Sequence, residues 1–258
     1  MRIKLTKKDK AILEYLLTFK VATIYQILRD INGDRAHTYL SERLTYLSHR
    51  GFVRKSCYEF KRVYSLGQKG VFYFKNLGRF TMEFKAAYLG YNPHTIVHDL
   101  LLSDIYSMLL SSGKISELRT HNDQLIEETH GQHSYNVSDA LFKVKKENGS
   151  YTLALELETT RKNPNAYDSI FDIYRNNNAI DLVLYLVKTP AQKSELLRFE
   201  NDVFGDPKSK IFIGLIDDFL ENPMKTQFNS CNKKSFCFHT VHGSNKEKAM
   251  QDLTFDNA

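Results

Sequence analysis

Three carboxylates are spaced as a divalent metal site would require: Asp139, Glu156 and Glu158. Glu156 and Glu158 alternate with leucines, so on a strand they share one face while the leucines occupy the other. The turn signal Asn148-Gly149 comes before this strand, and pairing back across that turn would bring Asp139 beside Glu156. Three converging carboxylates repel one another, and Mg²⁺ or Mn²⁺ held by Asp139 and Glu156 would neutralise them and activate water. The sequence therefore predicts Asp139, Glu156 and Glu158 as catalytic residues, with no cofactor if the site is inactive.

The elements that would position these carboxylates alternate between strands and helices. This alternation favours an α/β domain with a mixed sheet. The expected strands cover residues 115–120, 138–145, 151–159, 181–187, 210–216 and 235–241, and the expected helices cover 94–112, 166–176 and 190–204.

The first 90 residues are strongly basic. They contain 18 Lys and Arg against 7 Asp and Glu, a local charge of +11, whereas the whole chain has a charge of +6 and residues 91–258 therefore sum to −5. Such a concentration of positive charge favours an acidic partner, and double-stranded DNA is the partner that suits a small basic domain best. Apolar periodicity predicts three short helices and a two-stranded hairpin here, the pattern of an α+β winged-helix DNA-binding domain.

The third of these helices, about residues 35–50, and the following hairpin are the expected DNA contacts. Leu40, Leu44 and Leu47 would face the core, which leaves the opposite face free to enter a major groove. The hairpin would lie against a groove or against phosphates. The predicted DNA-binding residues are Arg35, Thr38, Tyr39, Arg43, Thr45, Tyr46, His49 and Arg50 on the helix and Arg54, Lys55, Lys61 and Arg62 on the hairpin.

Short motifs over roughly residues 5–187 give the chain a family resemblance. They are His98-Asp99-Leu100, Asp104, Ser138-Asp139-Ala140, Leu155-Glu156-Leu157-Glu158-Thr159-Thr160, Tyr167 and Tyr174-Arg175. With them the chain resembles the replication-relaxation family of plasmid and mobile-element proteins. In that family a winged helix precedes a restriction-endonuclease-like α/β domain with a mixed sheet. The resemblance implies binding to an origin-like DNA site in replication initiation or mobilisation, with metal-dependent nicking in some members.

One position departs from the nuclease motif, an Asp followed after a gap by Asp/Glu-x-Lys. The chain has Glu158 where that motif has the lysine that orients or activates the attacking water. The neighbouring cations that could substitute are Lys143, Lys145, Arg161 and Lys162. Without such a substitution the domain would be an inactive scaffold used for dimerisation, and the protein a non-enzymatic transcriptional regulator or initiator. A third interpretation is a winged-helix module that binds protein and not DNA.

Composition sets the remaining expectations. A chain of 258 residues with 42% hydrophobic residues can form two ordinary domains, which we place at residues 1–90 and 91–243, before a flexible tail at 244–258. Three scattered cysteines (Cys57, Cys231 and Cys237) match neither a disulfide framework nor a zinc module. No apolar run approaches the length of a membrane span. We therefore expect a cytoplasmic protein that acts alone or as a homodimer, without membrane contact.

Overall fold

The computed structural model describes residues 4–32, 37–79, 92–129, 138–146, 149–204 and 209–238. The protein combines α-helices with one three-stranded antiparallel sheet and one mixed seven-stranded sheet. It folds as two compact units, Met1–Ser107 with Thr120–Ser134 and Met108–Arg119 with Tyr135–Ala258. Within the described ranges, no helix combines the length and the apolar character needed to cross a bilayer.

The first unit begins with helices whose starts follow the sequence pattern. In chain order the elements are α1 (Lys7–Phe19), β1 (Val21–Thr23), α2 (Ile24–Ile27), a π-helical turn (Leu28–Asn32) and α3 (His37–His49). α1 and α2 each begin with a capping box, formed by Thr6 with Asp9 and by Thr23 with Gln26. The expected first residue of the third helix, Arg35, lies outside the described residues.

A hairpin follows α3 and completes the small sheet. The remaining elements of this part of the chain are β2 (Val53–Tyr58), β3 (Lys61–Leu66), α4 (Gln68–Asn76), α5 (Ile96–Ser111), β4 (Ile115–Thr120) and α6 (His121–Thr129). The sheet has the order β1-β3-β2. Gly51 ends α3 with a φ of +79°. At Gly67, a Cβ would lie 2.5 Å from the carbonyl oxygen of Gly51, so only glycine fits where α4 begins.

The core of the first unit is formed by the apolar stripes of α1 and α3. Leu40, Leu44 and Leu47 are buried, as their spacing predicted, and pack with Leu16 and Phe74. This packing orients α3 so that its other face is exposed to solvent.

A polar network fixes α5 to the rest of the first unit. The Asp30 carboxylate accepts hydrogen bonds from the hydroxyls of Tyr15 and Ser107, both at 2.7 Å. The guanidinium of Arg29 pairs with Asp30 at 2.6 Å and with Asp104 at 2.7 Å. Asp104, which the family resemblance singles out, is therefore engaged in structure within this unit.

The second unit contains most of the seven-stranded sheet. Its further elements are β5 (Ala140–Lys146), β6 (Gly149–Glu158), α7 (Pro164–Asn176), β7 (Leu182–Val187), α8 (Pro190–Phe204), β8 (Ile211–Leu215), α9 (Ile216–Glu221), β9 (Phe228–Asn229) and β10 (Ser235–Phe236). The strand order is β10-β9-β8-β7-β6-β5-β4. β5 runs antiparallel to β6, whereas β7 and β8 continue parallel to β6.

The register of the central strands determines which side chains meet. Ala140 pairs with Leu155 across the hairpin, and Glu156 pairs with Tyr185 on the parallel side. Phe171 and Tyr174 from α7 pack on this sheet in a buried cluster. At the carboxyl end of the central strand, Glu158 is buried and Glu156 is half-buried. The tail at 244–258 lies outside the described residues.

Candidate functional site

The three predicted carboxylates meet at the carboxyl end of β6. Since Ala140 pairs with Leu155, Asp139 lies next to Glu156 on the neighbouring chain segment. One Asp139 carboxylate oxygen accepts a hydrogen bond from the backbone amide of Leu157 at 2.7 Å. The structure therefore brings together the residues that the hairpin pattern was expected to bring together.

Glu156 is half-buried on the same face of β6 as Glu158. Burial, followed by the negative charge of Asp139, raises the pKa of Glu156 to about 8. The hydroxyl of Tyr174 donates a hydrogen bond to its carboxylate. Tyr185, its neighbour in the sheet register, is fully buried, and its hydroxyl has no hydrogen-bond partner among the described residues. Burial raises the pKa of both tyrosines, so both hydroxyls remain protonated.

Glu158 is paired with Lys162. The glutamate is 3% exposed, and the lysine ammonium donates a hydrogen bond to its carboxylate. Burial alone would lower the pKa of Lys162, but the hydrogen bond and charge of Glu158 outweigh it, and the charges of Glu156 and Asp139 act in the same direction. The net result is a raised pKa and a cation held within the electrostatic field of all three carboxylates.

The loop after β6 explains how Lys162 reaches this position. Its backbone amide donates to the hydroxyl of Tyr167 at 3.0 Å. Asn163 then caps α7, with Pro164 in the first turn. The loop is thus fixed on both sides of the lysine.

The other three cations that could substitute for the lysine of the nuclease motif lie in different surroundings. Lys143 pairs with Glu117 at 2.9 Å, and Arg161 pairs with Glu195. Lys145 is exposed on β5. Of the four cations named from the sequence, Lys162 is the one that the structure joins to the carboxylates.

The carboxylates are satisfied by protein groups in this structure. In the described part of the chain, no set of three or more His, Cys, Asp and Glu side chains is arranged to hold a metal ion. The backbone amide of Leu157, the hydroxyl of Tyr174 and the ammonium of Lys162 neutralise or bond the three acids instead. Chemically, the cluster combines a protonated carboxylic acid, two further acidic groups and a cation.

A second candidate site is the exposed face of α3 in the first unit. Thr38, Tyr39, Thr45, His49 and Arg50 are exposed on this face, as the helical period predicted. A shallow open depression runs along it, lined by Ser41, Glu42, Thr45, Tyr46, His49 and Arg50. The face therefore presents hydroxyl, imidazole, phenol and guanidinium groups, with one carboxylate.

Tyr46 lies beneath two guanidinium groups. The guanidinium carbon of Arg43 is 4.5 Å from the centre of the Tyr46 ring, and that of Arg50 is 5.5 Å from it. Arg50 is exposed, whereas Arg43 is partly buried. The aromatic ring thus holds the Arg50 cation at the surface of the helix.

Arg43 has a structural partner that the sequence interpretation did not include. Two of its guanidinium nitrogens donate to the two carboxylate oxygens of Asp9, which is fully buried. The hydrogen bonds from Arg43 and Thr6 hold the pKa of Asp9 below its usual value, although burial opposes this shift. Arg43 therefore stabilises the junction of α1 and α3, and its contact with DNA stays a prediction.

The hairpin extends the positive surface. Arg54, Lys55, Lys61 and Arg62 are all exposed. The register places Lys55 opposite Tyr64, and Tyr64 is buried in the core of the unit, so Lys55 lies on the face of the sheet that packs on the helices. Arg54 and Lys61 lie on the other face. Both faces of the hairpin therefore have positive charge near its tip.

No protein-family model matches this chain, and no curated protein matches it.

Two residues of the candidate sites were not predicted from the sequence, and a third, Lys162, was predicted only as one of four possible cations. Lys162 lies four residues after Glu158, and only the fold of the loop brings its ammonium back. Tyr185 faces Glu156 because of a parallel register, which no local sequence signal reveals. Asp9 could have been found as the third helical residue of a capping box, but its ion pair with Arg43 is a tertiary contact.

Proposed function

We propose that this protein binds double-stranded DNA through the exposed face of α3 and the β2–β3 hairpin. The observation that supports this best is the set of exposed cations on these two adjacent elements, Arg50, Arg54, Lys55, Lys61 and Arg62. Cations on a helix and on a neighbouring hairpin can contact a groove and the flanking phosphates together.

The topology of the first unit supports a winged-helix assignment. Three helical segments precede an antiparallel hairpin, and the short strand β1 pairs with β3 to give the order β1-β3-β2. In such domains the last helix of the three enters the major groove and the hairpin lies beside it. The buried leucines of α3 leave its opposite face available for that role.

Salt-dependent binding of the whole chain to a duplex tests the proposal. Each phosphate contact contributes about 0.9 to the slope of log affinity against log salt concentration. The double variant Arg54→Ala with Lys61→Ala should therefore bind more weakly at moderate salt and show a slope shallower by about 2. The charge-matched control, Lys75→Ala on α4 with Arg79→Ala just after it, should retain the wild-type slope. Absence of duplex binding by the wild-type protein in dilute buffer would exclude the function.

We further propose that the second unit has a restriction-endonuclease-like core and nicks DNA with a divalent metal ion. The specific observation in favour is the position of Lys162, which supplies a cation beside Glu158 where the nuclease motif has a lysine. An antiparallel hairpin, a helix and a parallel strand (β5, β6, α7 and β7) surround the site, and the resemblance to the replication-relaxation family includes this arrangement. The same resemblance supports action at an origin-like site of a plasmid or mobile element.

The donor chemistry of the cluster fits Mg²⁺ or Mn²⁺. Both ions prefer carboxylate oxygens. Burial and the charge of Asp139 raise the pKa of Glu156, and a bound cation would lower it again. Asp139 and Glu156 would hold the ion, which would supply Lewis-acid stabilisation of a phosphodiester. Lys162 would orient the attacking water, and Tyr174 would hold the Glu156 carboxylate in place.

Nicking of supercoiled plasmid in the presence of Mg²⁺ or Mn²⁺ tests this second proposal. Lys162→Ala should lower the nicking rate by about 100-fold or more, the usual effect of losing a group that transfers or orients a proton. Lys145→Ala removes an exposed cation from the neighbouring strand and should leave the rate unchanged. Clean DNA binding without metal-dependent cleavage would favour the alternative, a regulator or initiator whose second unit is an inactive scaffold.

A further inference from the structure

The hairpin tip places an aromatic side chain where the fold gives it no contact. Phe60 is 103% exposed relative to a fully accessible reference, more than any other large hydrophobic residue described. At this position the ring contributes none of the burial free energy that a phenylalanine in a core supplies.

The backbone at the tip is also unfavourable for the residues that occupy it. Glu59 and Phe60 form the two-residue turn between β2 and β3, and both have positive φ values, 44° and 63°. A two-residue turn with two positive φ values is normally occupied by Asn-Gly or Asp-Gly. A bulky residue in this region is uncommon, and such outliers occur preferentially at functional sites.

The charges around the tip indicate what Phe60 would meet. Lys61 and Arg62 follow it directly, and Arg54 and Lys55 lie on the paired strand. The only carboxylate in the turn, Glu59, accepts a hydrogen bond from the Tyr58 hydroxyl at 2.8 Å. An exposed ring followed by two cations, with two more further along the paired strand, is complementary to a polyanion with apolar faces between its charges, which is the chemistry of stacked bases flanked by phosphates.

We infer that Phe60 inserts between base pairs of bound duplex DNA from the minor groove and partly unstacks one base step. This inference rests on the proposed DNA-binding function and adds a mode of contact to it. Apolar side chains such as Phe act as wedges in the minor groove, and neighbouring cations compensate by holding the phosphates. The hairpin cations would position the tip, and the ring would kink the duplex.

The test measures base unstacking and affinity in the same titration. The probe is a duplex of about 24 base pairs rich in TA and CA steps, which unstack easily, with 2-aminopurine replacing adenine at those steps. Wild-type protein at low salt should raise the 2-aminopurine fluorescence and shorten the end-to-end distance measured by energy transfer. Phe60→Gly should bind roughly 5- to 30-fold more weakly, a loss typical of one aromatic stacking contact, and should not raise the fluorescence.

Two features of this variant separate a wedge from a structural role. Glycine suits the positive φ of position 60, so Phe60→Gly keeps the turn and should not lower the melting temperature. Its salt slope should equal that of the wild-type protein, since no phosphate contact is lost. Phe72→Ala, which removes a 56% exposed phenylalanine from α4, is the matched control and should behave as wild type.

Each outcome bears on the inference separately from the proposed function. If Phe60→Gly bound the duplex with wild-type affinity and gave the wild-type fluorescence change, the wedge would be overturned and DNA binding would stand. A change in oligomeric state, rather than in DNA affinity, for Phe60→Gly would assign the ring to a protein contact and also overturn it. Absence of duplex binding by the wild-type protein would overturn both.

Discussion

Glu156 shows how a single position can affect the protonation of a candidate site. It is half-buried, lies beside Asp139 and accepts a hydrogen bond from Tyr174. Burial and the charge of Asp139 favour the neutral acid and outweigh the hydrogen bond from Tyr174, which favours the ionised form. A cation that bound beside Glu156 would therefore lower the pKa of its carboxyl and favour loss of the proton.

This protonation makes stability depend on pH. The folded protein retains the Glu156 proton up to a pKa of about 8, whereas the unfolded chain loses it near 4.5. The stability contributed by this proton is complete below the unfolded value and is lost as the pH rises through the folded value. Relative to Glu156→Gln, the wild-type free energy of unfolding should therefore fall with pH, by at most about 1.4 kcal/mol per unit.

Urea denaturation between about pH 5 and pH 9 checks this prediction. Glutamine imitates the neutral acid and does not titrate, so the pH profile of Glu156→Gln should be flatter in this window. Glu195→Gln, at a partly exposed carboxylate that pairs with Arg161, is the control and should follow the wild type. Parallel profiles for wild type and Glu156→Gln would show that the carboxyl ionises normally in the folded protein.

The ion pair between Asp9 and Arg43 leads to a stability prediction of its own. Arg43→Ala would leave the Asp9 carboxylate buried without its cation, and breaking a buried pair typically costs 3–5 kcal/mol. Because the Arg43 side chain is 23% exposed, we expect the lower end of this range, about 3 kcal/mol. Chemical denaturation measures the loss.

Arg50→Ala is the matched control for that measurement. Arg50 lies over the same tyrosine ring, but within the described residues it has no acidic partner. Its removal should change stability by less than about 0.5 kcal/mol and should weaken DNA binding. If the two variants lost equal stability, the ion pair with Asp9 would not be the source of the stability that Arg43 contributes.

The β2–β3 hairpin is the element whose sequence fits its backbone least well. Replacing Glu59-Phe60 by Asn-Gly should stabilise the first unit by about 1–2 kcal/mol, because strain at two positive φ values is removed. Thermal denaturation followed by circular dichroism provides the measurement. Phe60→Ala keeps a Cβ at φ 63° and should gain less than Phe60→Gly. If the alanine and glycine variants were equally stable, the exposed ring and not the backbone would be the source of the cost.

Local sequence signals predicted the elements better than they predicted the sites. The apolar period of α3 is a local signal, and the structure confirms the burial that it predicted. The capping boxes of α1 and α2 are local as well. The proximity of Asp139 and Glu156 was also predictable, since a tight turn determines the register of an antiparallel hairpin. Tyr185 and Lys162 could not be placed in this way. A parallel register and a loop path depend on packing between elements that are distant in sequence.

At the scale of the whole molecule, charge is divided along the chain. The first 90 residues carry +11, and the remaining residues sum to −5. The basic part has the exposed cations proposed to hold DNA, and the acidic part has the carboxylates proposed to hold a metal ion. If both proposals are correct, binding and cleavage should be separable by substitution.

The prediction is an asymmetric pattern among four proteins. Arg54→Ala with Lys61→Ala should weaken duplex binding and slow nicking together, because less DNA is held near the metal site at a given salt concentration. Glu156→Ala should abolish nicking while duplex affinity stays within about twofold of wild type, since a pKa of about 8 leaves this carboxyl mostly uncharged at neutral pH, and its removal then changes the surface potential little. Lys145→Ala should preserve both activities. Duplex affinity and nicking rate measured on the same preparations provide the comparison. If Glu156→Ala lost duplex binding while its circular dichroism spectrum stayed unchanged, binding and cleavage would not be separable. The carboxylate cluster would then be part of the surface that holds DNA.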